Sequence, residues 1–175
     1  MKKIVYQFLL AILSLVVFQG CQEDEYVAGV TPLSVKITDA PGQYDAIRLH
    51  IKEIEVRTAE EKFTIPVTVD AFNILDYKMG KFLDLVKDFE LPSDRLDEVR
   101  LILHEEGNVV IIDSVEHALT TPSAQSSGWK IKVQDDLKPG VAYNLILDFD
   151  AARSIHTTGN GEYMLQAENF RTLRT

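Results

Sequence analysis

The chain has 175 residues, enough for one ordinary domain and too few for a large multidomain enzyme. Lys plus Arg total 18 against 27 for Asp plus Glu, a net charge of -9 that argues against a nucleic-acid phosphate backbone as partner. With 46% hydrophobic residues the chain can bury a core, and its single cysteine excludes an intrachain disulfide and a cysteine-rich zinc site.

Met1-Lys2-Lys3 is a short positive segment, and residues 4–18 form an apolar run broken only by Gln7 and Ser14. That run is too short to span a bilayer comfortably and reads as a signal peptide over residues 1–20. It ends in Val17-Phe18-Gln19-Gly20-Cys21, which resembles a bacterial lipobox. The resemblance implies that Cys21 becomes the new N-terminus and carries palmitate-type acyl chains, each buried methylene contributing roughly 0.8 kcal/mol of membrane affinity. Gln22, Glu23, Asp24 and Glu25 follow at once and resemble the export signal that sends lipoproteins of the Bacteroidota group to the outer face of the outer membrane. Residues 21–32 lack apolar periodicity and hold Gly29 and Pro32, the pattern of a flexible tether.

Residues 33–175 read as a single all-β domain. Leu33, Val35 and Ile37 alternate with Ser34, Lys36 and Thr38, the period of a half-buried strand. In residues 46–57 the apolar phase slips by one at Lys52-Glu53, where a β-bulge would restore the facing. Phe63, Ile65, Val67 and Val69 alternate again, with Pro66 directing that segment to a sheet edge. Residues 77–89 place Phe82, Leu83, Leu85, Val86 and Phe89 near a helical spacing and suggest one short helix near 80–89. Further strands are expected at 98–104, 108–113, 129–133, 143–149 and 162–170. Ala40-Pro41-Gly42-Gln43 and Lys138-Pro139-Gly140-Val141 fit type II turns, Gly107-Asn108 and Asn160-Gly161 mark hairpins, and the Ser/Thr-rich residues 120–127 read as an exposed loop. The sum is an antiparallel β-sandwich of about seven to nine strands.

Leu33-Ser34-Val35-Lys36-Ile37-Thr38-Asp39-Ala40-Pro41-Gly42-Gln43-Tyr44-Asp45-Ala46, the later Leu91-Pro92 and Leu147-Asp148-Phe149-Asp150-Ala151-Ala152-Arg153-Ser154-Ile155 resemble the opening and closing signatures of the lipoprotein family catalogued as domain of unknown function 4382. Tyr163-Met164-Leu165 also matches. The resemblance implies a secreted or lipid-anchored sandwich, similar in build to transthyretin-like and immunoglobulin-like modules, without an established catalytic activity. Fold analogy does not choose among adhesion, carbohydrate binding and structural roles.

Asp39, Asp45, Asp148 and Asp150 are the acids of those blocks. Hard oxygens could gather calcium, although no complete calcium loop is present; the plainer expectation is turn capping and pairing of Asp148 or Asp150 with Arg153. The same two acids are the pair a small carbohydrate-directed hydrolase would use. No nucleophile motif is present, and His50, His104, His117 and His156 are too scattered to predict a metal centre. Trp129 beside a Ser/Gly stretch could offer a sugar-stacking platform, whereas its parity with Ile131 and Val133 points to the core. Asp113-Ser114-Val115 matches a short O-glycosylation pattern at Ser114. The expectation is thus a lipid-anchored, non-catalytic binding, adhesion or structural module of the outer membrane surface. It would meet the membrane through its lipid and a surface glycan or envelope proteins through its domain, without cofactor or nucleic acid. An acid-pair hydrolase and a calcium-stabilised structural domain are the alternatives.

Overall fold

The computed structural model describes residues 29–40, 43–121, 127–166 and 170–174. The expected signal peptide, Cys21, Gln22, Glu23, Asp24 and Glu25 lie outside the described residues, as does the Pro41-Gly42 turn. In chain order the strands are β1 (Val30–Ala40), β2 (Ala46–Leu49), β3 (Ile51–Thr58), β4 (Lys62–Pro66), β5 (Phe72–Asn73), β6 (Leu83–Pro92) and β7 (Arg95–Leu103). There follow β8 (Val109–Ile112), β9 (Val115–Thr120), β10 (Trp129–Asp136), β11 (Tyr143–Asp150), one helical turn α1 (Ala151–Ser154), β12 (Ile155–Thr157), β13 (Tyr163–Leu165) and β14 (Phe170–Arg174). The all-β expectation holds. The strands number fourteen among the described residues, more than the seven to nine expected, because several are only two to five residues long.

Two four-stranded sheets, ordered β14-β11-β1-β6 and β10-β7-β3-β4, form the layers of a sandwich. Alternation supplies the core: Leu33, Val35 and Ile37 of β1 and Leu145, Leu147 and Phe149 of β11 are fully buried. From the other sheet come Ile54, Val56, Val99, Leu101, Ile131 and Val133. Aromatic contacts fasten the layers at both edges. Trp129 of β10 stacks on Phe149 of β11, with centroids 6.0 Å apart, and Phe63 of β4 meets the edge of Phe89 of β6, also at 6.0 Å. Pro66 lies in the edge strand β4, as expected, since a residue without an N–H cannot sit in the middle of a ladder.

A third sheet, β12-β13-β9-β8-β2-β5, grows out of the second. The segment β2–β3 is nearly continuous and pairs antiparallel first with β8 and then with β7. Strands β7 and β8 therefore run in the same direction, and Gly107-Asn108 closes no hairpin. It belongs to an insertion, residues 104–108, set opposite the break at His50. The bulge expected at Lys52-Glu53 is present as a register shift between Ile51 and Glu53 against β7. The turn at Lys138-Pro139-Gly140-Val141 closes with the Val141 N–H donating to the Lys138 carbonyl at 3.1 Å and Gly140 at φ +71. Asn160-Gly161 does turn a hairpin, between β12 and β13. The single strand expected over 162–170 is instead β13 and β14, which belong to different sheets.

Two further expectations are corrected. The sandwich is mostly antiparallel, yet β1 and β11 pair in parallel from Leu33↔Tyr143 to Ala40↔Asp150, and β9 pairs in parallel with β13. The helix expected near 80–89 is strand β6. Its apparent helical spacing comes from two register shifts against β1, which put Leu85 and Val86 in the core side by side. Asp88 takes φ +46 in this irregular stretch, and Ser34 of β1 pins it: the Asp88 N–H donates to Ser34 Oγ at 3.1 Å, and that hydroxyl donates to Asp88 Oδ1 at 3.3 Å. Ser34→Ala removes both bonds and is expected to lower the unfolding free energy by about 1 kcal/mol in urea denaturation, with an unchanged m-value.

Candidate functional site

The parallel pairing of β1 and β11 separates the acids that the sequence suggested together. Asp39 is level with Phe149 on the inner face, where it is 4% exposed, and Asp148 is level with Thr38 on the opposite face. Asp150 ends β11 and caps α1: its Oδ1 accepts the Arg153 N–H at 3.2 Å, and its Oδ2 lies 3.6 Å from Arg153 Nε. Asp45 is engaged elsewhere, its Oδ2 accepting the Ser114 N–H at 2.8 Å. The four carboxylates thus do not converge on one cation, and among the described residues no group of three or more His, Cys, Asp or Glu is placed to hold a metal ion. Of the two acids that the plainer expectation offered for capping and pairing with Arg153, Asp150 and not Asp148 takes that position. Asp150→Ala is expected to lower stability by about 1 kcal/mol, read as a shift in the urea midpoint.

Trp129 is 3% exposed, with its face on Phe149. Its parity with Ile131 and Val133 prevails and places it in the core, and the alternative of a sugar-stacking platform at this residue is corrected. Ser114 is exposed at the tip of the two-residue turn joining β8 to β9. Asp113 at φ +51 and Ser114 at φ +64 give that turn its type I′ form.

Strand β6 runs antiparallel to β1, so the turn preceding it lies at the end of β1 remote from Val30. Eleven residues of strand separate the two ends, about 36 Å at about 3.3 Å per residue. At this distal end Met79 is 90% exposed and holds φ +56, a conformation that costs a non-glycine residue roughly 1–2 kcal/mol. Phe82 is 41% exposed nearby. Beside them opens a depression of about 470 Å³ whose lining includes Tyr44, Asp45, Asp76, Lys78, Met79 and Lys81. Burial, reinforced by Tyr163, pushes the Tyr44 hydroxyl above the usual phenol range. The ring is half-buried against the core, which presents it as a rigid wall.

A second depression, of about 480 Å³, lies at the junction of the second and third sheets. It is lined by His50, Lys52, Leu103, His104, Glu105 and Glu106. The two imidazoles stack with centroids 3.9 Å apart and planes 29° from parallel. Burial, then the neighbouring His50 and Lys52, hold His104 below the ordinary imidazole range, with Glu53 opposing. The two histidines stand 54 positions apart in the chain, and the local sign of them is that each lies off the core parity beside a buried Leu.

A family model described as domain of unknown function (DUF4382) matches residues 30–167. No curated protein and no solved structure matches the chain.

Proposed function

This chain belongs to the family described as domain of unknown function 4382, and from that premise we propose that it is a lipid-anchored, non-catalytic binding module of the cell envelope. The observation that carries this reading is the distal end: an open depression with an aromatic wall, flanked by an exposed Met79 held in a strained turn, at the far end of β1 from where the chain enters the domain. Strained, solvated apolar residues on a rigid scaffold are a recurrent feature of binding loops. The lipobox-like Val17-Phe18-Gln19-Gly20-Cys21 and the acids Glu23, Asp24 and Glu25 support an anchor at the other end, by outer-membrane export to the cell surface.

The ligand class that suits the depression is a surface glycan. Hydroxyl-rich ligands take hydrogen bonds from the Lys78 and Lys81 ammonium groups and give them to the Asp45 and Asp76 carboxylates, while Tyr44 offers an apolar face. The test is a glycan array probed with the detergent-solubilised protein, with Tyr44→Ala and Lys81→Ala as variants. Binding that falls about tenfold or more in both supports the reading, each lost charge-assisted or stacking contact being worth roughly 1–3 kcal/mol. Silence across the array overturns it and points to a structural role in an envelope assembly. Ser114, exposed in its turn, is proposed as an O-glycosylated position. A mass increment on native protein that disappears in Ser114→Ala is the expected result, and an unmodified mass would refute it.

A further inference from the structure

His50 and His104 face one another across the break where the second sheet becomes the third, and their backbones are tightly held. The His104 N–H donates to the His50 carbonyl at 2.8 Å. Asn108 ties both residues together: its Oδ1 accepts the His50 N–H at 2.9 Å, and its Nδ2 donates to the His104 carbonyl at 2.8 Å. Only side-chain torsions remain free. Gly107, at φ +88, lies under the His50 ring, where a Cβ would come within 3.1 Å of Nδ1; glycine therefore lets the inserted loop close over the histidine. His50 Nδ1 also lies 3.4 Å from the Glu106 carbonyl. A proton placed there leaves Nε2 with its lone pair available, the tautomer arrangement common to metal-bound histidines.

We propose that His50 and His104 form a two-imidazole site for a borderline divalent transition-metal ion of the zinc, nickel or copper class, water completing the coordination. Two nitrogens bound to one ion at about 2.0–2.1 Å each stand no more than about 4.2 Å apart. The rings now stack with centroids 3.9 Å apart, so to bind one ion they must unstack by side-chain rotation until a nitrogen of each points at it, while the paired backbones stay in place. Imidazole ligands favour these ions over calcium or magnesium. Lys52 at the rim opposes a cation, and Glu53, Glu105 and Glu106 outnumber it in charge. This site is separate from the distal depression and independent of the glycan reading.

The test uses the intact, untagged, detergent-solubilised protein, stripped with chelator and titrated calorimetrically with NiCl2 and then with ZnCl2. One ion per chain is expected, with His50→Asn and His104→Asn each weakening binding by about tenfold or more, as loss of one of two ligands requires. His117→Asn and His156→Asn should bind as the parent does. Histidine ring resonances in NMR provide the second readout: those of His50 and His104 should shift or broaden on metal addition while those of His117 and His156 stay in place. Thermal melts in chelator establish that each variant is folded, and if one of the pair is not, the other variant and the NMR readout decide. Absence of a one-site isotherm overturns the proposal, as does binding that survives loss of either His50 or His104.

Discussion

Phe149→Ala lowers the unfolding free energy by about 3–5 kcal/mol, the range for deleting a buried aromatic ring from a packed core. Phe149 is among the largest fully buried side chains, and its strand β11 lies inside the first sheet with β1 on one side and β14 on the other. Neighbouring strands on both sides leave little room for the backbone to collapse into the space, so the cavity term should stay near its full value. Across the sandwich the ring rests on Trp129, 6.0 Å away and 13° from parallel. Trp129→Ala should therefore be comparably damaging. In the double variant the two losses should fall short of their sum by roughly 0.5–1.5 kcal/mol, because the shared contact is lost only once. Equilibrium urea unfolding of the four proteins measures this cycle. A Phe149→Ala loss below about 2 kcal/mol would mean that the two sheets do not pack as described.

The second large effect is expected at Gly128, immediately before β10. Its φ is +71, and a Cβ there would come within 3.0 Å of Ile102 Cγ1 and 3.2 Å of both Arg100 Cβ and the Leu101 carbonyl oxygen. Gly128→Ala meets two penalties: roughly 1–2 kcal/mol for a left-handed alanine and about 1–3 kcal/mol for crowding against β7. Gly140 is the internal control. It has the same φ of +71, and a Cβ added there meets nothing within 4 Å. Gly140→Ala should thus show the conformational penalty alone, and the gap between the two variants in urea unfolding isolates the crowding. Equal losses would contradict the close approach of Gly128 to β7.

Much of this architecture was legible from local pattern, and the failures have identifiable physical causes. Alternation located β1 and β10, whose apolar residues share one parity and face the core. Strands β7, β8 and β11, also expected as strands, hold runs of neighbouring apolar residues such as Val109-Val110-Ile111-Ile112 and Leu145-Ile146-Leu147. The phase slip at Lys52-Glu53 located a real irregularity. In β6 the same signal misled: two register shifts beside one another bring Leu85 and Val86 to the same face, and a doubly irregular strand then imitates a helix. Strand direction was illegible, since Leu33, Val35 and Ile37 alternate identically whether β11 runs with them or against them. The very short β5, β12 and β13 carry too few residues to establish a period. Among site residues, an aspartate capping the turn and pairing with Arg153 was legible because the spacing is local, although the choice of Asp150 over Asp148 was not. The meeting of His50 with His104, and of Asp45 with Ser114, depends on which strands pair, and no short window of sequence contains that information.

The proposed function has the domain held to a membrane by lipid on Cys21, with its distal end outward. The most direct measurement is the intact mass of the protein extracted from the membranes of its native cells, compared with Cys21→Ala. A mature chain that starts at Cys21 and carries acyl chains, lost from the membrane fraction when the thiol is replaced, is the predicted result. A native chain with an unmodified Cys21, or membrane retention of Cys21→Ala equal to that of the parent, would contradict it.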